Sequence, residues 1–121
     1  MTDHPSGAVA IVDDDPAVLD SLKFLLEIAG HMVATYASAA EFLGDHARRP
    51  TCLILDQHMP HMTGLELAAR LRRDGANVPV LLITGSPSAT IVSRAAQLGI
   101  ERVLEKPLDE ANLLSFVDAH D

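Results

Sequence analysis

The chain has 121 residues, of which 48% are hydrophobic and 3% aromatic, with no tryptophan. That length fits one domain, and the core has to be built from Leu, Ile, Val and Ala, a composition suited to buried parallel strands. The net charge of −8 repels a phosphate backbone, the single Cys52 rules out an internal disulfide, and no apolar run approaches the roughly 20 residues of a membrane span, so direct nucleic-acid and membrane partners are not expected.

No basic and apolar leader pattern precedes the first apolar run, and a reducing cytoplasm is the expected location. Residues 1–7 read as a tail. Ala8 to Val12 forms a first short strand, after which Asp15 and Pro16 supply a cap and a pre-set first residue for a helix closed by Gly30. Val18, Leu22, Leu25, Leu26 and Ile28 recur near the helical period and give that helix a face for a sheet. Met32 to Tyr36 is the second strand. Ser38 with Glu41, and Thr63 with Glu66, have capping-box spacing, and the third strand, Thr51 to Asp56, lies between the two helices they start. Asn77 and Pro79 precede the fourth strand, Ser86 and Pro87 open a helix ending near Gly99, and Ile100 to Glu105 is the fifth strand. Asp109 caps a last helix carrying Leu113, Leu114, Phe116 and Val117. Five alternations of strand and helix with short connections predict an α/β domain with a parallel sheet covered on both faces.

Reactive side chains gather where four of these strands end. Asp13 and Asp14 follow AVAIV, Asp56 follows TCLIL, Thr84 follows VPVLLI, and Lys106 follows RVLE. The carboxyl ends of strands in an open α/β sheet form the ligand crevice, so these residues predict one site. Asp15 suffices as the cap, which leaves Asp13 and Asp14 without a local structural task. Two carboxylates about 4 Å apart repel by roughly 4 kcal/mol at an effective dielectric near 20, so Asp13, Asp14 and Asp56 together call for protons or a cation. Magnesium suits so small an oxygen set, because it keeps several waters and is held by one or two carboxylates plus phosphate oxygens. A free oxygen of Asp56 is then a nucleophile toward a phosphoryl group, with the Lys106 ammonium and the Thr84 hydroxyl available to neutralise and orient its oxygens.

The segments IVDDD, LILDQHMPHMTGLEL, LLITG and EKP, in this order, resemble the receiver domain of two-component response regulators from Ala8 to about Ala119. Within that family the chain is most similar to receivers that precede a LuxR-type helix-turn-helix domain, the nitrogen-fixation regulator group. The resemblance implies a flavodoxin-like (βα)5 three-layer sandwich over residues 8–121, with a parallel five-stranded sheet of order 2-1-3-4-5. It further implies that Asp56 is the phosphoacceptor and that Mg2+ sits between Asp14, Asp56 and the backbone carbonyl of His58, with Asp13 acting mainly through water. Lys106 would pair with the phosphoryl group, Thr84 would be the switch hydroxyl, and the Lys106–Pro107 peptide would be cis. The implied donor is a phosphohistidine on a sensor histidine kinase. The implied output is a change in protein interactions, including a phosphorylation-dependent homodimer through a face with Ile91, Arg94, Glu101 and Arg102.

By the same resemblance His58 overhangs the phosphoryl group and tunes its hydrolysis, and Ser86 holds the other such position. His58 and His61 have too few companion ligands for zinc. Cys52 is expected in the core, Met59 and Met62 as loop anchors, and the arginines from Arg70 to Arg73 as a solvated face or a kinase-docking patch. The reading is of a switch and not an enzyme; the alternatives are a Mg2+-dependent phosphohydrolase, for which only Gln57 and His58 stand near the nucleophile, and a docking module that is never phosphorylated.

The chain departs from the family at Val103, where an aromatic residue usually stands, and at Leu108, where a Phe often does. The aromatic half of the switch is therefore missing. Val103→Tyr is expected to change dimerisation or partner binding on phosphorylation, measured by comparing the two proteins with and without the phosphoryl group; identical responses would contradict this.

Overall fold

The computed structural model describes residues 7–121, so the expected tail lies outside the described residues except for Gly7. Five strands, β1 (Val9–Val12), β2 (Val33–Tyr36), β3 (Cys52–Asp56), β4 (Val80–Thr84) and β5 (Arg102–Glu105), alternate with five helices, α1 (Pro16–Ile28), α2 (Ala39–Gly44), α3 (Gly64–Arg73), α4 (Ala89–Gln97) and α5 (Glu110–His120). The strands form one sheet in the order β2-β1-β3-β4-β5, with every neighbouring pair parallel. This is the expected flavodoxin-like arrangement.

Strand alternation divides the core into two layers. Ala10, Val12, Leu53, Leu55, Val80 and Leu82 face Phe42 of α2, Leu67, Ala68 and Leu71 of α3, and Ala95 of α4. Val9, Ile11, Cys52, Ile54, Leu81 and Ile83 face Leu19, Leu22 and Leu26 of α1 and Leu113, Phe116 and Val117 of α5. The three central strands are buried throughout, as a sheet covered on both sides requires. Cys52 is in this core, as expected, and burial pushes its thiol up to about 11.

The chain order crosses over between β1 and β3, which leave the sheet in opposite directions along its width and open a crevice at their carboxyl ends. Asp15 caps α1 by accepting from the Ala17 amide, and Gly30, at φ +97°, reverses the chain after it with His31 N bonded back to Leu26 O. Thr63 and Glu66 form the complete capping box of α3.

Four expectations shift. Ile28 is exposed, because Leu19, Leu22 and Leu26 already fill the face that α1 lays on the sheet. Glu41 reaches the amide of Ala37 and not that of Ser38, so the box at α2 is half formed. The cap of α4 is Ser88, whose hydroxyl accepts from Ile91 N, while the Ser86 amide bonds to the Thr84 hydroxyl. Ile100 packs as a buried loop residue and β5 begins at Arg102.

His31, just before β2, fastens the end of α5. Its Nδ1 lies 2.6 Å from Asp121 Oδ2 and its Nε2 lies 2.9 Å from Asp118 Oδ1, while Thr51 donates to the other Asp121 oxygen. Only the doubly protonated ring satisfies both carboxylates, and chiefly the bond to Asp121 raises its pKa above 6.5. The stabilisation is fully present below pH 6.5, the unfolded value, and is lost as pH rises through the higher folded value. Thermal melts of the parent and His31→Gln should differ most near pH 6 and converge at alkaline pH; a constant difference would contradict a charged clasp.

Candidate functional site

Val12 of β1 stands beside Leu55 of β3, so the next residue on each strand, Asp13 and Asp56, emerges side by side at the crossover. Both are 2% exposed. Asp13 Oδ1 accepts from the Asp15 amide at 2.9 Å, but Asp13 Oδ2 and Asp56 Oδ1 are buried without a hydrogen bond. Asp14 is exposed and completes the set: one oxygen from each of Asp13, Asp14 and Asp56 falls within 4.8 Å of the others. Burial first, and then the charge of Asp56, raise the pKa of Asp13 from 3.8 to about 6, against the Asp15 amide, which lowers it.

The opposing charge comes from the loop after β5. Lys106 Nζ lies 3.0 Å from Asp56 Oδ1, an ion pair without hydrogen-bond alignment. Burial alone would lower the lysine's pKa; the carboxylates of Asp56, Asp13 and Asp14 outweigh it and the net shift is upward. Lys106 N bonds to Thr84 O, and the Lys106–Pro107 peptide is cis, as expected.

Thr84 ends β4 with its side chain fully buried. Its Oγ1 accepts from Ser86 N at 3.1 Å and lies 3.1 Å from Nε2 of the exposed His58. Val103, the position of the missing aromatic, pairs in register with Leu82 and is half-buried on the α2–α4 side of the sheet, the side to which Thr84 belongs. The structure therefore brings Asp13, Asp14, Asp56 and Lys106 together, with Thr84 tied to the Lys106 backbone and to the His58 side chain.

Asp13 Oδ2, buried without a partner, with the Asp56 carboxylate held only by Lys106 and the exposed Asp14 beside them, fits a hard divalent cation: an all-carboxylate donor set with unmet acceptor capacity. His58 and His61 join no such group among the described residues. Met59 is buried and Met62 packs against the core, as loop anchors should.

Two supporting residues were not read from the sequence. Gly64, the first residue of α3, packs against the backbone of Asp56: a Cβ there would stand 2.7 Å from Asp56 O and 2.8 Å from a Leu82 methyl. A glycine directly after a cap, where it weakens the helix it begins, was the available signal. Gln57 accepts from Leu65 N at 2.9 Å through its side chain and from Gly64 N through its carbonyl, so the residue after Asp56 is fixed to α3.

Residues 9–118 match the family model described as response regulator receiver domain. The chain is 39% identical over 112 residues to the transcriptional regulatory protein FixJ of Azorhizobium caulinodans, covering 92% of this chain and 53% of that protein. It is 36% identical over 120 residues to the response regulator protein TodT of Pseudomonas putida, covering 98% and 52%. It thus spans about half the length of these curated relatives. Among solved structures, FixJ-N superposes with a TM-score of 0.82 at 32% identity, covering 98% of this chain and 93% of that one. The Vibrio cholerae chemotaxis protein CheY4 superposes with a TM-score of 0.86 at 27% identity, covering 96% and 99%.

Asp13→Asn should stabilise the metal-free protein at pH 7.5 by on the order of 3 kcal/mol, because it removes a buried charge whose pKa burial pushes up from 3.8 to about 6. The folded pKa lies above the unfolded one, so this advantage should shrink as pH falls from about 7 toward 4, read from denaturant melts across that range. Gly64→Ala should cost about 1–3 kcal/mol in the same melts, since the methyl meets backbone that cannot yield freely.

Proposed function

As this chain belongs to the response regulator receiver domain family of two-component systems, we propose that Asp56 is its phosphoacceptor and that phosphorylation switches its protein interactions. The observation that carries this reading is the pairing of two buried, incompletely bonded carboxylates, Asp13 and Asp56, with Lys106 3.0 Å from Asp56. A carboxylate oxygen of Asp56 forms the new O–P bond as the N–P bond of a phosphohistidine donor breaks, the electron pair leaving with the imidazole. Lys106 moves from countering the carboxylate to countering the phosphoryl oxygens, and the Thr84 hydroxyl donates to one of them. Asp13, Asp14, Asp56 and the carbonyl of His58 would hold Mg2+, which supplies charge neutralisation when bound.

The donor by this reading is a sensor histidine kinase, in the cytoplasm. Among the described residues no helix is long and apolar enough to cross a membrane. The homodimer face inferred from the family is partly engaged within the chain: Glu101 binds His120 and Arg102 binds the Asn112 carbonyl and Ser115. The phosphohydrolase alternative needs a proton donor beside Asp56. Gln57 is committed to α3 through Leu65 N, which removes one of the two residues that stand near the nucleophile.

Intact mass after incubation with acetyl phosphate is expected to show one added phosphoryl group only when Mg2+ is present, and none in Asp56→Asn. Lys106→Ala should reduce the labelled fraction severalfold. Steady hydrolysis of a phosphate monoester without accumulation of the adduct would instead support the hydrolase.

A further inference from the structure

We propose that His58 is a positioning residue that holds the Thr84 hydroxyl in the resting arrangement, so that the imidazole and the phosphoryl group compete for the same hydroxyl; this rests on Asp56 being the phosphoacceptor. It differs from an action of His58 on the phosphoryl group itself, because it operates before that group arrives. The Thr84 side chain is fully buried, so its hydroxyl has to be satisfied by protein groups. Of its one donor and two acceptor sites, one acceptor is taken by Ser86 N at 3.1 Å. Among the described residues the remaining side-chain partner is His58 Nε2, also at 3.1 Å. With the ring protonated at Nδ1, Thr84 donates its single proton to Nε2. That proton is the one a phosphoryl oxygen would take, and the hydroxyl has no second one to give.

The direction of the histidine is fixed by its neighbours. Gln57 is pinned to Leu65 N and Gly64 N, and Met59 is buried, so the backbone on either side of His58 is held while its ring stays exposed. Removal of the ring takes away the one side-chain acceptor that competes for the Thr84 proton among the described residues, which favours the state in which Thr84 turns to the phosphoryl oxygen. The latch also bears on the loop after β4, because the same Oγ1 holds the Ser86 amide in the turn that precedes α4.

The test is a titration of the full chain with beryllofluoride in Mg2+, a phosphoryl analogue, following the Ser86 and Thr84 amides by NMR. The proteins compared are the parent, His58→Ala, His58→Gln, Thr84→Ala and the His58→Ala/Thr84→Ala double variant. His58→Ala should bind about fivefold more tightly, the value of one net hydrogen bond, and its Ser86 amide should be displaced toward the bound position before any analogue is added. His58→Gln, which keeps an acceptor of similar reach, should return toward the parent. In the Thr84→Ala background the His58 substitution should have no effect. Unchanged or weaker binding by His58→Ala, or an equal effect with and without Thr84, would overturn the latch while leaving the phosphoacceptor reading intact. A parent that binds no analogue and gains no phosphoryl mass would overturn that reading, and the latch with it.

Discussion

Two carboxylates at the ends of β1 and β3, side by side and out of water, set the terms for everything around them. Their repulsion has no internal remedy in the acids themselves; it is moderated from outside by the Lys106 ammonium and by the proton affinity forced on Asp13. The crossover of chain order places them together, since β1 and β3 are neighbours whose following loops depart in opposite directions. The fold therefore concentrates unfavourable charge at one edge and leaves an opening at that edge through which a cation and an anionic group can enter. Stability given up there is recovered in the two apolar layers, whose central strands are buried end to end.

Much of this was legible in the sequence because it depends on short-range signals. Capping residues, a Pro at the first turn and apolar runs of four to six residues gave all ten elements. The chemistry was legible because acids, a threonine and a lysine recur at strand ends, and the alternation of strands and helices forces those ends to one side. Strand order came only from the resemblance; nothing in the period of a strand says which neighbour it takes.

What stayed hidden depends on distance between segments far apart in the chain. The bond from His58 to Thr84 joins a loop residue to the end of β4. The contact of Gly64 with the Asp56 carbonyl exists only after α3 folds back over β3. The same holds for the shifts seen in the elements. Ser86 has the right neighbour for a cap, but its amide is taken by a hydroxyl whose position only the sheet determines. Ile28 has the right polarity for the core, but its angle around α1 turns it away from the face that Leu22 and Leu26 already fill.

Alternation along the sheet gives the site a division of labour. Asp56 follows Ile54 on the side of α1 and α5, whereas Thr84 follows Leu82 on the side of α2, α3 and α4. The Asp56 carboxylate and the Thr84 hydroxyl thus belong to different layers and meet only beyond the sheet's edge. Thr84 shares its layer with α4 and Val103, while α5, in the layer of α1, is fastened by His31. Any displacement of the Thr84 side chain would bear first on one flank of the domain and leave the clasped flank untouched.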